Sequence, residues 1–195
     1  MAQQVMAKPR EPLITVKSGL YTAVVGALGD ILTLFAIPVA PNINVNLYVF
    51  PSVLVGGTSG WFLGMLAGFI GALYTPVLWG WFGAIPYNMI LGAAAGFFAK
   101  RGIRPTIGAF IGHILSIPYM WWATRTFLGM PDEIIMVGMV TTVVQLLVAG
   151  VIAEVLLSAS GFRKRVPAME IDTPPAWIAN NPILRHPWVS APVKK

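Results

Sequence analysis

The sequence predicts an all-α integral membrane protein: a bundle of six transmembrane helices with both termini on the cytoplasmic side. Three observations predict it. Of the 195 residues 56% are hydrophobic and only 10% are charged, and mean hydropathy is +0.74, so the chain cannot present an ordinary water-facing surface. The apolar residues fall in runs near the length that crosses a bilayer, about 20 residues. The basic residues behind the net charge of +6 lie in short clusters between those runs. That spacing suits topology signals and excludes a nucleic-acid surface. The chain therefore belongs in the cell membrane as a multi-pass protein facing the lipid bilayer.

The first helix is expected over 18–37. The preceding residues 1–17 carry scattered charges and no small-residue cleavage site, so they read as a cytoplasmic segment and the helix as retained. The second is expected over 45–58, where Pro51 and the short run also admit a re-entrant segment. Trp61 to Ala99 holds no formal charge and is too long for one span. It breaks at "GWFGAIP", where Gly80, Gly83 and Pro86 end one helix and start the next, giving helices over 61–80 and 83–99. The last two are expected over 105–127 and 134–160. Charge decides between five and six spans. With six, Lys8, Arg10 and Lys17, then Lys100, Arg101 and Arg104, then Arg163, Lys164 and Arg165 share one side, as the positive-inside rule requires. Arg125 falls near the other face beside Asp132 and Glu133. Residues 18–162 form the membrane domain. The Pro-rich tail, 163–195, reads as a cytoplasmic arm lying on the bundle or on a partner, with Trp177 and Trp188 as anchors, or as a disordered tail.

Polar groups gather in the outer half. Asp30 lies about 10 Å below the outer boundary and Asn88 at a similar depth, by the 1.5 Å helical rise, while His113 and Gln145 are deeper. Around the outer ends come Tyr48, Tyr74, Trp79, Trp81, Tyr87, Tyr119, Trp121, Trp122 and Arg125, and the first outer loop holds Asn42, Asn44 and Asn46. A cavity open to the outside with aromatic walls and few polar groups suits a small molecule, and isolated ionisable residues in spans point to function. The candidate substrate-binding residues are Asp30, Asn46, Tyr74, Tyr87, Asn88, His113, Tyr119, Trp122 and Arg125. Each has a structural alternative: Asp30 can pair with Arg125 or hydrogen-bond a neighbouring helix, His113 can bond a neighbouring helix, and the aromatic residues can belong to the interfacial belt. An anionic Asp30 among aromatic rings would favour a cationic or heteroaromatic ligand. Glu154 is expected to meet a basic neighbour at the inner surface.

No Walker loop and no H-E-x-x-H occurs, His113 and His186 are far apart, and there is no cysteine. No enzyme, cofactor, metal or nucleic acid is implied. Gly19, Ala23 and Ala27 make a smooth stripe on the first helix, open equally to internal and external packing. The glycines of the third and fourth, including Gly64, Gly68, Gly92 and Gly96, favour packing within the bundle.

The helix 1 stretch "AVVGA", the hairpin "FPSVLVGGTSGWFLGMLAGFIGALYTP" and "GAIPYNMILGAAAGFFAKRG" together resemble the substrate-binding S component of an energy-coupling factor (ECF) importer over residues 18–162. The resemblance implies capture of a vitamin-like small-molecule substrate from outside. It also implies docking through Ala23 and Ala27 onto a membrane coupling subunit, and energy from a pair of cytoplasmic ATPases. The 33-residue tail departs from that family's pattern. The rival readings are a structural subunit of a larger membrane complex and a stand-alone proton-coupled carrier using Asp30 and His113.

Overall fold

The structure, a computed structural model, describes residues 14–35, 37–40, 43–80, 82–159 and 161–189. Lys8, Arg10, Asn42, Trp81 and residues 190–195 lie outside the described residues, as do the side chains of Asn44 and Trp79. The elements run α1 (Val16–Thr33), β1 (Ile37–Ala40), β2 (Ile43–Val45), α2 (Phe50–Ser59), α3 (Trp61–Ile70), α4 (Thr75–Trp79), α5 (Ala84–Lys100), α6 (Pro105–Leu128), α7 (Asp132–Ser158), α8 (Phe162–Arg165) and α9 (Ala176–Ala179). The architecture is helical, with β1 and β2 forming a short antiparallel hairpin in which Ile37 faces Val45.

Local chemistry explains most helix starts. Thr15 and Ser18 form a reciprocal capping box before α1: Thr15 Oγ1 accepts the Ser18 N–H at 3.1 Å and Ser18 Oγ the Thr15 N–H at 2.9 Å. Pro51, Pro76 and Pro105 occupy first-turn positions of α2, α4 and α6, where the missing N–H has no helical partner to lose. Gly60 joins α2 to α3 with φ 92°, a conformation glycine adopts without strain.

Two expected spans are corrected. Residues 45–49 are not helical, so the second helix is α2 alone, 10 residues and about 15 Å long. Every residue from Phe50 to Thr58 is buried, which makes α2 the centre of the core. The expected helix over 61–80 breaks at Gly71 and restarts as α4, because α1 crosses there. A Cβ on Gly29 would lie 2.8 Å from the Gly71 Cα and 3.1 Å from the Tyr48 carbonyl oxygen. The first helix also ends early, at Thr33, with the chain extended from Ile37.

The glycines expected to pack inside the bundle do so. Between α3 and α5, Gly60 faces Gly96, Gly64 faces Gly92 and Gly68 faces Asn88, backbone against backbone. The spacing of four on both helices of this antiparallel pair holds the axes so close that a Cβ at Gly64, Gly68, Gly92 or Gly96 would meet the facing backbone.

Two stretches, Trp61–Leu78 and Asp132–Ser158, are long and apolar enough to cross a membrane, with mean hydropathy 1.6 and 2.3. Large apolar side chains also face outward along α1 (Leu20, Val24, Leu28, Ile31) and α7 (Val140, Val151, Val155). A surface of this kind points to membrane association.

The bundle has two distinct ends. One carries the β1–β2 hairpin. The other, the basic end, holds Lys100, Arg101 and Arg104, and the chain after α7 folds back over it. Met169 N–H donates to the Thr58 carbonyl at 2.7 Å, Asp172 N–H to Lys100 at 2.8 Å, and Arg104 N–H to Leu184 at 2.8 Å. Ser59 Oγ reaches the Pro167 carbonyl at 2.8 Å, and the Trp188 indole N–H the Leu157 carbonyl at 2.9 Å. The tail is thus an arm lying on the bundle. Glu154 meets its expected basic neighbour nearby: Arg104 Nη1 is 3.2 Å from Oε2, and Thr106 Oγ1 donates to Oε1 at 3.0 Å.

Candidate functional site

The polar groups of the helical bundle form a buried cluster and a more exposed rim. Adjacent positions on a helix point about 100° apart, so Tyr87 and Asn88 on α5 reach different neighbours. The Tyr87 hydroxyl lies 3.0 Å from Nδ1 of His113 on α6, with the rings edge to face at 5.9 Å between centroids. Asn88 ties α5 to α2 and α3: its Oδ1 accepts from Ser52 Oγ at 2.8 Å, and its Nδ2 donates to the Gly68 carbonyl at 3.1 Å. Ser116 Oγ returns to the His113 carbonyl at 2.8 Å.

This cluster does not line an open recess. Tyr87 and Asn88 are 0% exposed and His113 2%. Among the described residues these polar groups are buried and bond to neighbouring helices, and Tyr87 shares an apolar cluster with Leu91 and Met120. Two recesses among the described residues lie at the basic end: one of about 560 Å³ under the arm, bordered by Arg163, Asp172 and Trp188, and a groove of about 860 Å³ between α6 and α7, bordered by Arg104, Glu154 and Ile183. None of the candidate substrate-binding residues borders either.

Two polar atoms at the hairpin end behave differently. Among the described residues Asn46 Oδ1 and Thr75 Oγ1 are buried with no hydrogen-bond partner, as is Arg104 Nε at the basic end. Asn46 stands two residues before Tyr48, and Thr75 four after Gly71; the backbones of Tyr48 and Gly71 both abut Gly29. In sequence both orphans stand within four residues of that crossing of α1. A buried polar atom left without a partner costs about 1–3 kcal/mol, so the pair marks a place where an incoming polar group would be stabilised.

The remaining candidates form the rim. Asp30 Oδ1 accepts the Tyr74 N–H at 2.9 Å; its carboxylate caps the turn between α3 and α4. It does not meet Arg125, whose Nη1 bonds both carboxylate oxygens of Asp132 at 3.0 and 3.1 Å. Tyr119 and Trp122 contact each other at 6.3 Å between ring centroids, and Trp122 and Tyr74 are exposed. Ala23 and Ala27 sit on the outward face of α1. Sequence reasoning passed over Ser52 and Thr75. The signal for each was a hydroxyl beside a helix-starting proline at the hairpin end.

Removing the Asp30 cap is expected to cost about 1 kcal/mol. In thermal melts of the detergent-solubilised chain, Asp30→Ala should lower the midpoint by a few degrees, while Asp30→Asn, which keeps an acceptor oxygen, should stay close to the parent.

Among the described residues no group of three or more His, Cys, Asp or Glu could hold a metal ion. Comparison with protein-family models, with curated proteins and with solved structures finds no match.

Proposed function

We propose that the chain is a six-span membrane protein, both ends cytoplasmic, that serves as the substrate-binding subunit of an ATP-driven importer of the ECF type. The observation that carries this reading is the pair of unsatisfied buried atoms, Asn46 Oδ1 and Thr75 Oγ1, at the end of the bundle that bears the hairpin. The basic clusters put that end outside, by the positive-inside rule. A ligand entering beneath the hairpin would meet an amide and a hydroxyl, with the Tyr87–His113 pair deeper in the bundle. In this reading the β1–β2 hairpin, which stands at that end of the bundle, is the lid. With Asp30 bonded to the Tyr74 backbone, the ligand favoured is a neutral, hydrogen-bonding, vitamin-like compound in preference to a cation. The resemblance supplies the rest: docking through Ala23 and Ala27 onto a membrane coupling subunit served by a cytoplasmic ATPase pair, with no chemistry performed by this chain.

A structural subunit of a larger membrane complex is the second reading, and the burial of Tyr87, Asn88 and His113 favours it. Mass spectrometry of the purified chain separates the two. The importer reading expects a small molecule to co-purify at near-stoichiometric amount. Asn46→Ala or Thr75→Ala should weaken its rebinding about 10-fold, the effect of losing one buried hydrogen bond. A chain that retains nothing overturns the reading. Ala23→Leu with Ala27→Leu should abolish uptake and leave ligand binding intact.

A further inference from the structure

We propose that the C-terminal arm is a proton-operated latch: neutral His186, seated between Gly57 and Trp188, holds residues 166–189 against the basic end, and its protonation releases them. His186 is 0% exposed. Its Nδ1 accepts the Trp188 backbone N–H at 3.1 Å, so that nitrogen carries no proton. Nε2 lies 3.2 Å from the Gly57 carbonyl and must therefore be the N–H donor. Both nitrogens are used and the neutral ring is fully satisfied. A second proton would land on Nδ1, pointing at another donor, and the Trp188 bond would be lost. Trp188 is the anchor whose indole binds the end of α7, and His186 N–H itself donates to the Gly102 carbonyl at 2.6 Å. One protonation thus strikes the point where α2, the α5–α6 connection and α7 are joined by the arm.

The surroundings offer an imidazolium no support. From α2 come Gly57 and Thr58, without charge. The α5–α6 connection brings Arg104. From α8, Arg163 lies 5.5 Å from the Trp188 ring. The carboxylate on α7, Glu154, is already held by Arg104 and Thr106. Burial accordingly lowers the His186 pKa to about 4; the Gly57 bond acts against the shift, and Arg163 and Arg104 add to it. In the released arm the ring returns to about 6.5. The released state therefore binds more protons between those values. Docking is complete above about pH 6.5 and weakens as pH falls toward 4. By this linkage the ratio of docked to released arm drops about 20-fold from pH 7 to pH 5.

The latch rests on the proposed topology only for which compartment's acidity it senses. Hydrogen exchange read by mass spectrometry on the full chain in phosphatidylcholine nanodiscs tests it without reference to any ligand. With intrinsic rates corrected for pH, protection of the amides of Arg104, Met169, Asp172 and His186 should fall together about 20-fold between pH 7 and pH 5. His186→Asn, whose oxygen can accept the Trp188 N–H but does not titrate, should hold protection constant; His186→Arg should lose it at both values. Equal loss in the parent and in His186→Asn overturns the proposal, as does a parent with no loss. The chain has two histidines, so imidazole nitrogen NMR of the parent follows His186 directly. A His186 that protonates while the arm stays protected refutes the latch whatever the variants do.

Discussion

Gly64→Val in α3 is expected to prevent the folded chain from accumulating. A Cβ at Gly64 would meet the Gly92 carbonyl of α5 and lie 2.7 Å from the Gly56 Cα of α2. Those are backbone atoms of two further helices, so no rotamer change relieves the overlap, and α3 must move away from both. The same step opens the Gly60–Gly96 and Gly68–Asn88 contacts on either side, because all three lie on one helix face. Losing that seam also exposes α2, whose nine residues from Phe50 to Thr58 are buried. We expect destabilisation beyond about 4 kcal/mol, in the range reserved for severe core damage. It should appear as loss of the monodisperse peak in size-exclusion chromatography. Gly92→Val, approached from the other helix, should do the same. Gly138→Ala is the control: it sits in α7 with nothing within 4 Å of its Cβ position, and alanine is the better helix former by about 1 kcal/mol. That variant should be as stable as the parent or slightly more so. If Gly64→Val folds and melts like Gly138→Ala, the packing of α3 on α5 described above is wrong.

The seam was legible in advance because small residues four apart leave a mark in one dimension. The helix start at Pro105 was legible because the physics that places it is local, whereas Pro51 and Pro76 fell inside expected helices and in the structure start α2 and α4 instead. The break at Gly71 was not legible. Hydropathy runs unbroken from Trp61 to Leu78, and the crossing of α1 at Gly26 and Gly29, which meets Ile70 and Gly71, is a long-range contact. The role of Asp30 was legible in outline alone, as a hydrogen bond to a neighbouring element. An acidic residue amid apolar neighbours reads as a charge seeking a partner, and nothing local says that the partner is a backbone N–H 44 residues later. The arm was half legible. Its composition marked it as distinct material and its tryptophans as anchors, and Trp188 is one. The bonds that seat it run largely between backbone groups, which no side-chain pattern records. The polar cluster shows the same division: Asn88, Tyr87 and His113 stood out by their rarity in apolar helices, whereas which of them would meet, and that they would be buried, depended on the fold.

Asn88→Leu is the second large effect expected, and it isolates the chemistry that keeps α3 broken at the right place. The two side chains share branching and heavy-atom count, so the shape is kept, the bulkier leucine methyls add some overpacking, and two hydrogen bonds vanish. Gly68 lies in the last turn of α3, where carbonyls have no helical N–H to accept, and Asn88 Nδ2 supplies the missing donor at 3.1 Å. Without it a buried carbonyl is left unpaired. Ser52 is less exposed to the change, because its hydroxyl also lies 2.7 Å from the Val49 carbonyl and can turn there. The loss should therefore sit with Gly68, about 2 kcal/mol. That exceeds the usual interhelical bond in a membrane, where a freed group finds another partner, since Gly68 faces the α5 backbone so closely that nothing else can enter. Ser52→Ala alone should cost well under half as much. The double variant should cost no more than Asn88→Leu, because the Ser52 bond is already gone. Chemical denaturation in detergent measures all three. A Ser52→Ala loss equal to that of Asn88→Leu would place the energy on the α2 side, and the account of Asn88 as the donor that closes α3 would have to be abandoned.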